Sequence, residues 1–336
     1  MNKSMIAALA AVIGPLAAFP ALPASAAEPP GLEIKVGFSG RFRCVLNEGT
    51  KREVDTGWFK NLIVNSGLDR LAVASPSLFQ WGSVGTGNAT PTNSDTSLQA
   101  YVASTSNVTL DSQNNGGPSG YVAQCQFHHV YAQGAVVGNM AEIGIGWASG
   151  GGSLWSRALI LDGGGSPTTL TVTSIDQLTV YYELTCTPIL TDLTGTVSIS
   201  GTSYNYTGRI SNCASFANGL YSTLQLNGSR FGLGTNASTY ATQTLGAITS
   251  TPAGTPASGG SSVAASYTSG NKYLDTTYTW LPADGNASGG VGAFSLNFST
   301  NMQYQYVLAA TSGGAVVPKD NTKTMTMVIR FSWDRV

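Results

Sequence analysis

Strict two-residue alternation of apolar and polar side chains is the feature that most restricts this chain. Leu178, Val180, Tyr182, Leu184 and Cys186 alternate with Thr179, Tyr181, Glu183 and Thr185. An extended strand is the conformation that puts every second side chain on one face. Met325, Met327, Ile329, Phe331 and Trp333 repeat the pattern against Thr326, Val328, Arg330 and Ser332. Phe294-Leu296-Phe298 and Met302-Tyr304-Tyr306-Leu308 follow it too. Turn formers separate these runs: Asn47-Glu48-Gly49, Ser200-Gly201, Asp284-Gly285-Asn286 and Ser312-Gly313-Gly314. The one helical stretch expected is residues 66–74, with Ser66 as its cap. Many short strands joined by Gly-rich turns predict an all-β fold of sandwich or barrel type.

The alternation also recurs at a fixed distance. A shift of 147 positions carries Leu178, Val180, Tyr182, Leu184 and Cys186 onto Met325, Met327, Ile329, Phe331 and Trp333. The same shift takes Gly85, Gly87, Leu98 and Ala100 to Gly232, Gly234, Leu245 and Ala247, and Gly138-Asn139 to Gly285-Asn286. A repeat of domain size predicts two similar β-sandwich-like domains, residues 28–187 and 188–336, rather than a solenoid. The boundary falls near Thr187-Pro188. Residues 249–269 are mostly Ser, Thr, Gly, Ala and Pro and read as a long surface loop.

Charge narrows the functions open to such a fold. Only 10% of the 336 residues are charged, well under the roughly 25% of ordinary soluble proteins. With 16 basic and 17 acidic residues there is no cationic excess to neutralise phosphates, so no nucleic-acid partner is expected. The pairs Arg41/Arg43 and Lys51/Arg52 read as solvated strand faces. An uncharged surface rich in hydrogen-bonding groups suits packing against copies of itself or other subunits, or life outside the cytosol. Residues 1–27 form an apolar N-terminal segment: Lys3, an apolar stretch over residues 5–22, then Ala24-Ser25-Ala26. This is the order of a secretory signal peptide, and the alternative is a retained apolar arm buried in an assembly. Gly14, Pro15 and Pro20 make it a poor membrane-spanning helix. Cys44, Cys125, Cys186 and Cys213 form no C-x-x-C pair. In an exported chain, Cys186 and Cys213 are the nearest candidates for a disulfide. In a reducing cytosol all four stay buried thiols.

Catalytic patterns are sparse. His128 and His129 are neighbours, and in a strand they point to opposite faces, so they do not chelate one metal. Asp162, Asp176, Glu183, Asp275 and Asp284 show no spacing that would pair two of them across a glycosidic bond. Gly85-Thr86-Gly87 lacks the third glycine, the lysine and the helix of a phosphate loop, and reads as a turn with positive φ. Gly150-Gly151-Gly152 and Gly163-Gly164-Gly165 read as turns or loop tips, and Gly259-Gly260-Ser261 lacks a nucleophile-elbow context. No catalytic residue, metal or cofactor is therefore expected. Aromatic side chains remain as binding candidates. Trp81 and Trp280 lie near turns, where an exposed ring stacks on a sugar or anchors an interface. Trp333 is in phase with the apolar face and belongs to the core.

Several phrases add a resemblance. Thr56-Gly57-Trp58-Phe59-Lys60-Asn61-Leu62-Ile63 is followed by Gly67-Leu68-Asp69-Arg70-Leu71. Then come Val84-Gly85-Thr86-Gly87-Asn88 with Asp95-Thr96-Ser97-Leu98, and Leu154-Trp155-Ser156-Arg157-Ala158-Leu159-Ile160. Val317-Pro318-Lys319 and the closing Phe331-Ser332-Trp333-Asp334-Arg335 complete the set. Together they resemble virion structural proteins of tailed bacteriophages, of the minor-tail and fibre-associated kind. The resemblance implies a rigid, β-rich, oligomeric part of the tail or its adsorption apparatus. Its partners would be copies of itself, other virion proteins and a host cell-surface glycan, and it brings no catalytic residues. The apolar N-terminal segment departs from that pattern, because such virions assemble in the host cytoplasm. Retention in the particle, a start further along the chain, or a secreted bacterial relative would each reconcile the two. The expectation is a non-enzymatic virion protein, with a secreted β-sandwich protein binding glycans or surfaces as the alternative.

Overall fold

A computed structural model describes residues 31–73, 77–116, 121–212, 216–222, 234–248, 250–298, 302–310 and 316–336. The first half contains β1 (Leu32–Leu46), β2 (Val54–Asp55), β3 (Phe59–Lys60), β4 (Leu62–Ile63), helix α1 (Asn65–Arg70), β5 (Trp81–Gly85), β6 (Tyr101–Thr105), β7 (Val108–Gly116) and β8 (Val122–Val130). It continues with β9 (Gly138–Met140), β10 (Glu142–Gly146), β11 (Leu154–Leu159), β12 (Leu170–Val172) and β13 (Leu178–Pro188). The second half contains β14 (Leu193–Ile199), β15 (Thr202–Asn212), helix α2 (Phe216–Tyr221), β16 (Gly234–Tyr240), β17 (Ala257–Ser258) and β18 (Ser261–Ala264). It closes with β19 (Tyr273–Trp280), β20 (Ala293–Phe298), β21 (Gln303–Ala310) and β22 (Met325–Arg335). The expected all-β class holds.

The long strand β1 alternates over most of its length. Leu32, Ile34, Val36, Phe38, Phe42, Cys44 and Leu46 are buried, while Lys35 and Arg41 are exposed. It lies at the centre of a nine-stranded sheet of order β18-β19-β22-β1-β13-β8-β7, with β2 and β3 attached to β1. β13 joins it antiparallel and β22 parallel, so strands of both halves share one sheet. Two smaller sheets cover the inner face, β4-β11-β10-β5-β6 and β14-β15-β21-β20-β16-β17. Against the first, Phe38 meets Trp155 edge-on at 5.8 Å, Phe79 stacks on Phe127 at 5.2 Å, and Trp155 Nε1 donates to Tyr182 Oη at 2.7 Å. Against the second, Trp280 meets Phe294 at 5.4 Å and Phe331 meets Phe298 at 5.3 Å. One hydrophobic cluster runs through all three sheets. A ladder of β9 and β12 pairs beside them.

Local chemistry explains the turns. Ser200 and Gly201 both have positive φ, 50° and 83°, and close the two-residue hairpin between β14 and β15. That conformation matches the right-handed twist of the strands it joins. The Gly-rich stretch expected as a loop over 249–269 carries β17 and β18 among its described residues. Gly259 and Gly260, at φ 120° and 103°, pass the chain from the six-stranded sheet to the nine-stranded one. Three further expectations change. Ser66 does not cap α1; its hydroxyl donates to Leu154 O, and Val64 holds the cap position without a side-chain bond. Lys51 and Arg52 lie in the turn after β1 rather than on a strand face. Gly85 and Gly87 do not have positive φ. They are glycines because a Cβ at either would collide with the Glu142 carboxylate.

That carboxylate is wholly buried and anchors the loop over residues 85–100. Its Oε1 accepts from Ala100 N at 2.6 Å and Gly87 N at 3.1 Å, and its Oε2 accepts from Gln99 N at 3.0 Å. Arg157, from the neighbouring strand, donates to Oε2 at 2.9 Å and reaches Asp95 at 2.6 Å and Ala89 O at 3.0 Å. A buried charge without its partner is strongly destabilising. Glu142→Gln is therefore expected to lose about 3–5 kcal/mol of stability. Urea unfolding checks this, and Arg157→Met added to it should recover part of the loss by removing the stranded cation.

Candidate binding face

The side chains of Ser39, Arg41 and Arg43 on β1 point away from the core, and their neighbours on β13 and β8 continue them across the sheet. The register aligns Arg43 with Tyr181 and His128, Arg41 with Glu183 and Gln126, and Ser39 with Thr185 and Gln124. Ionic and aromatic contacts lock these rows. Arg41 pairs with Glu183 at 2.9 Å and holds its guanidinium 4.7 Å from the Trp58 ring centre. Arg43 makes a two-pronged contact with Asp55 at 2.7–3.1 Å and lies 5.3 Å from the Tyr181 ring. Tyr181 Oη donates to Glu48 at 2.6 Å, and His128 Nδ1 meets Asp111 at 2.6 Å. The bond from Arg43 holds the Asp55 carboxyl below the usual carboxylate range. Burial and the Glu48 carboxylate push the Tyr181 phenol up.

Beside these rows the sheet has a gap. β1 pairs with β22 as far as Phe38 and with β3 from Arg41 onward, so Ser39 and Gly40 sit between the two ladders, where Gly40 O accepts from Asn61 N at 3.4 Å. The gap opens a cleft of about 480 Å³ between the end of β22 and the start of β3. Phe38, Leu62 and Ile63 contribute apolar lining; Ser39, Asn61 and Thr185 are polar; Arg41, Lys60, Arg335 and Glu183 are charged. Arg335 is held by two neutral oxygens, Ile63 O at 2.8 Å and Asn65 Oδ1 at 2.7 Å. Lys60 is exposed and has no ion-pair partner among the described residues. Asn61 Nδ2 donates to Tyr182 Oη at 3.1 Å, while its Oδ1 is buried without a hydrogen bond.

The sequence candidates lie elsewhere. Trp280 is wholly buried, stacked on Tyr278 and under the Gly260 and Gly285 backbone, so it is core and not an exposed anchor. It is in phase with the buried set of β19, Leu274, Thr276, Tyr278 and Trp280, all even-numbered and facing inward. Trp81 is half-buried at the start of β5, away from the rows described above. Cys186 is wholly buried on β13, and Cys213 lies outside the described residues, as do residues 1–30 and Ser312-Gly313-Gly314. Burial raises the Cys44 and Cys125 thiols to about 12, which leaves them protonated. The carboxylates flagged in the sequence serve separate contacts. Asp176 bonds Asn47 and Thr173, Asp275 pairs with Arg330, and Asp162 caps its own turn. Glu183 on β13 lies level with Arg41 of β1 and Asp275 on β19 level with Glu33, so the two are eight residues apart along the sheet as well as three strands apart across it. Among the described residues no three His, Cys, Asp or Glu side chains converge as metal ligands would. Trp58 was one of the aromatic candidates in the sequence; the residues that sequence reasoning missed are Tyr181 and Lys60. Their signal was present in the two-residue spacing of Arg41 and Arg43, which marks one outward face.

No protein-family model matches the chain, and no curated protein or solved structure matches it either.

The two histidines do point opposite ways, and His129 gives a measurable consequence. Its Nε2 donates to Phe79 O at 3.0 Å while Nδ1 has no hydrogen bond, so the ring is neutral. Burial lowers its pKa to about 4, against about 6.5 unfolded. The unfolded chain thus binds the extra proton first. Stability present above about pH 6.5 is expected to fall by up to about 3 kcal/mol as the pH drops towards 4. Denaturant melts of the wild type and His129→Gln between these pH values check it; the variant should lose most of the slope.

Proposed function

We propose that this chain is a non-enzymatic structural protein of a tailed-bacteriophage virion, tail- or fibre-associated, that assembles with copies of itself and with other virion proteins. The observation that carries this reading is where the resembling phrases meet. They are scattered over the sequence, but all except Val317-Pro318-Lys319 come together around β4, α1 and β11. β4 pairs with β11 through Leu62–Arg157 and Ile63–Ser156. Gly67 of α1 lies against the Trp155 backbone, and Trp333 Nε1 donates to Leu68 O at 2.9 Å. Arg157 ties the Gly-Thr-Gly loop through Asp95 and Glu142, and Arg335 donates to Ile63 O. That these phrases form one structural unit supports the reading.

The edges of the long sheet support assembly. β7 and β18 carry one charged residue between them, Asp111, which is engaged by His128. Natural edge strands are usually protected by charge or proline. On β18, Val263 is 69% exposed.

The reading includes two related halves, residues 28–187 and 188–336, that share the long sheet. The 147-position shift carries Leu178 to Met325 and Pro188 to Arg335, the ends of β13 and β22. The order β4-β11-β10-β5-β6 finds its counterpart in β15-β21-β20-β16-β17, with a short helix after β4 and after β15. Likewise β7-β8-β13 on one side of β1 corresponds to β18-β19-β22 on the other.

The polar-aromatic face favours one other reading, a secreted bacterial protein that binds glycans or surfaces. Peptide mass spectrometry of purified particles and of cell-free medium separates the two. Recovery in stoichiometric amounts with the particles is expected, and recovery only as a soluble secreted chain would overturn the virion assignment.

A further inference from the structure

The cleft beside β1 is unusual for this molecule. A chain with a formal net charge of -1 places three cations, Arg41, Lys60 and Arg335, around one opening. Among the lining side chains the one carboxylate is Glu183, and it is neutralised by Arg41 at 2.9 Å. Lys60 and Arg335 therefore leave an excess of positive charge at the opening. The Nη1 group of Arg335 makes no hydrogen bond among the described residues, so part of its planar fork is unspent. Such a fork fits a carboxylate. Asn61 offers an amide with one atom unsatisfied whichever way the group is turned. Ser39 and Thr185 add hydroxyls. Trp58 lies next to this rim, tied to it by Arg41.

Size and chemistry together indicate the ligand. A cleft of about 480 Å³ lies within the range of small-molecule sites, roughly 300–1,000 Å³. A peptide anchor would call for a deep apolar pocket. Here the apolar walls, from Phe38, Leu62, Ile63 and Val336, lie under a rim of amide, hydroxyl and cation. Sugar rings combine an apolar face for an aromatic plane with hydroxyls for planar amides. We propose that the cleft and the adjoining Trp58 bind an acidic oligosaccharide of the uronate type, with a carboxylate between Lys60 and Arg335 and a neighbouring ring against Trp58. This inference rests on the reading of the outer face as the working surface, and deepens it by naming the ligand class.

Isothermal titration of the full chain tests it, with tetragalacturonate, its neutral galactose counterpart and a tetraglutamate peptide as probes. Binding of tetragalacturonate alone is expected, weakened when salt rises from about 0.05 to about 0.5 M. Lys60→Glu and Trp58→Ala are each expected to lower the affinity about tenfold or more. Lys60 is exposed, so the thermal midpoint of Lys60→Glu should match the wild type and separate lost binding from lost folding. No binding of tetragalacturonate, equal binding of the neutral sugar or of the peptide, or an unchanged affinity in either variant would overturn the proposal. Each result stands whether or not the protein is recovered with virus particles.

Discussion

β1 sets the terms for everything else. A strand of this length cannot leave seven apolar side chains in water, and no single small sheet is wide enough to cover them. The solution is to place it between β13 and β22 and to cover its inner face from both halves of the chain. The parallel pairing with β22 is costly in sequence distance, since it joins residues near 32 to residues near 329. Long-range pairing slows folding because loop closure precedes its reward. The return is one continuous hydrophobic cluster in place of two small ones, and larger cores bury a greater share of their surface.

Once the inner face is spent on packing, function has to be carried by the outer face and by the loops. The loops are held by buried polar anchors, to which Leu98 adds an apolar contact with Val64 and Leu154. Glu142 and Arg157 fix residues 85–100 in the first half. In the second half a neutral residue does similar work: Gln305, wholly buried, accepts from Gly246 N and donates to Ala247 O and Ser250 O. The charged anchor is the more demanding of the two, because its strength depends on every partner being present. On the outer face, Arg and aromatic side chains hold one another in fixed rotamers. Such preorganised groups lose little entropy on binding, which is what makes a shallow face useful.

Much of the fold was legible from side-chain period. The strands expected over residues 178–186, 325–333 and 294–298 are β13, β22 and β20, and Ser200-Gly201 is the hairpin turn its residues suggest. Period does not encode partners. Nothing local announces that β1 pairs with β22, or that Glu142 reaches back to Gly87 and Ala100. The glycines of that loop were visible, but the reason for them was a carboxylate from a distant strand rather than a positive φ. Trp280 misled because proximity to a turn says less about exposure than strand phase does. The Gly-Ser stretch misled because low complexity is compatible with edge strands where glycine lets the chain change sheets. The candidate face was only half legible: Arg41 and Arg43 mark it, but Tyr181 and Lys60 join it through register and Trp58 through its contact with Arg41.

Hydroxyl-radical footprinting of the chain, free and in its native assembly or ligand complex, addresses the working surface directly. Trp58 and Tyr181 should be oxidised in the free chain and protected in the complex, while the buried Trp280 stays silent in both. Equal oxidation of Trp58 and Tyr181 in the two states would mean that this face is not where the protein works.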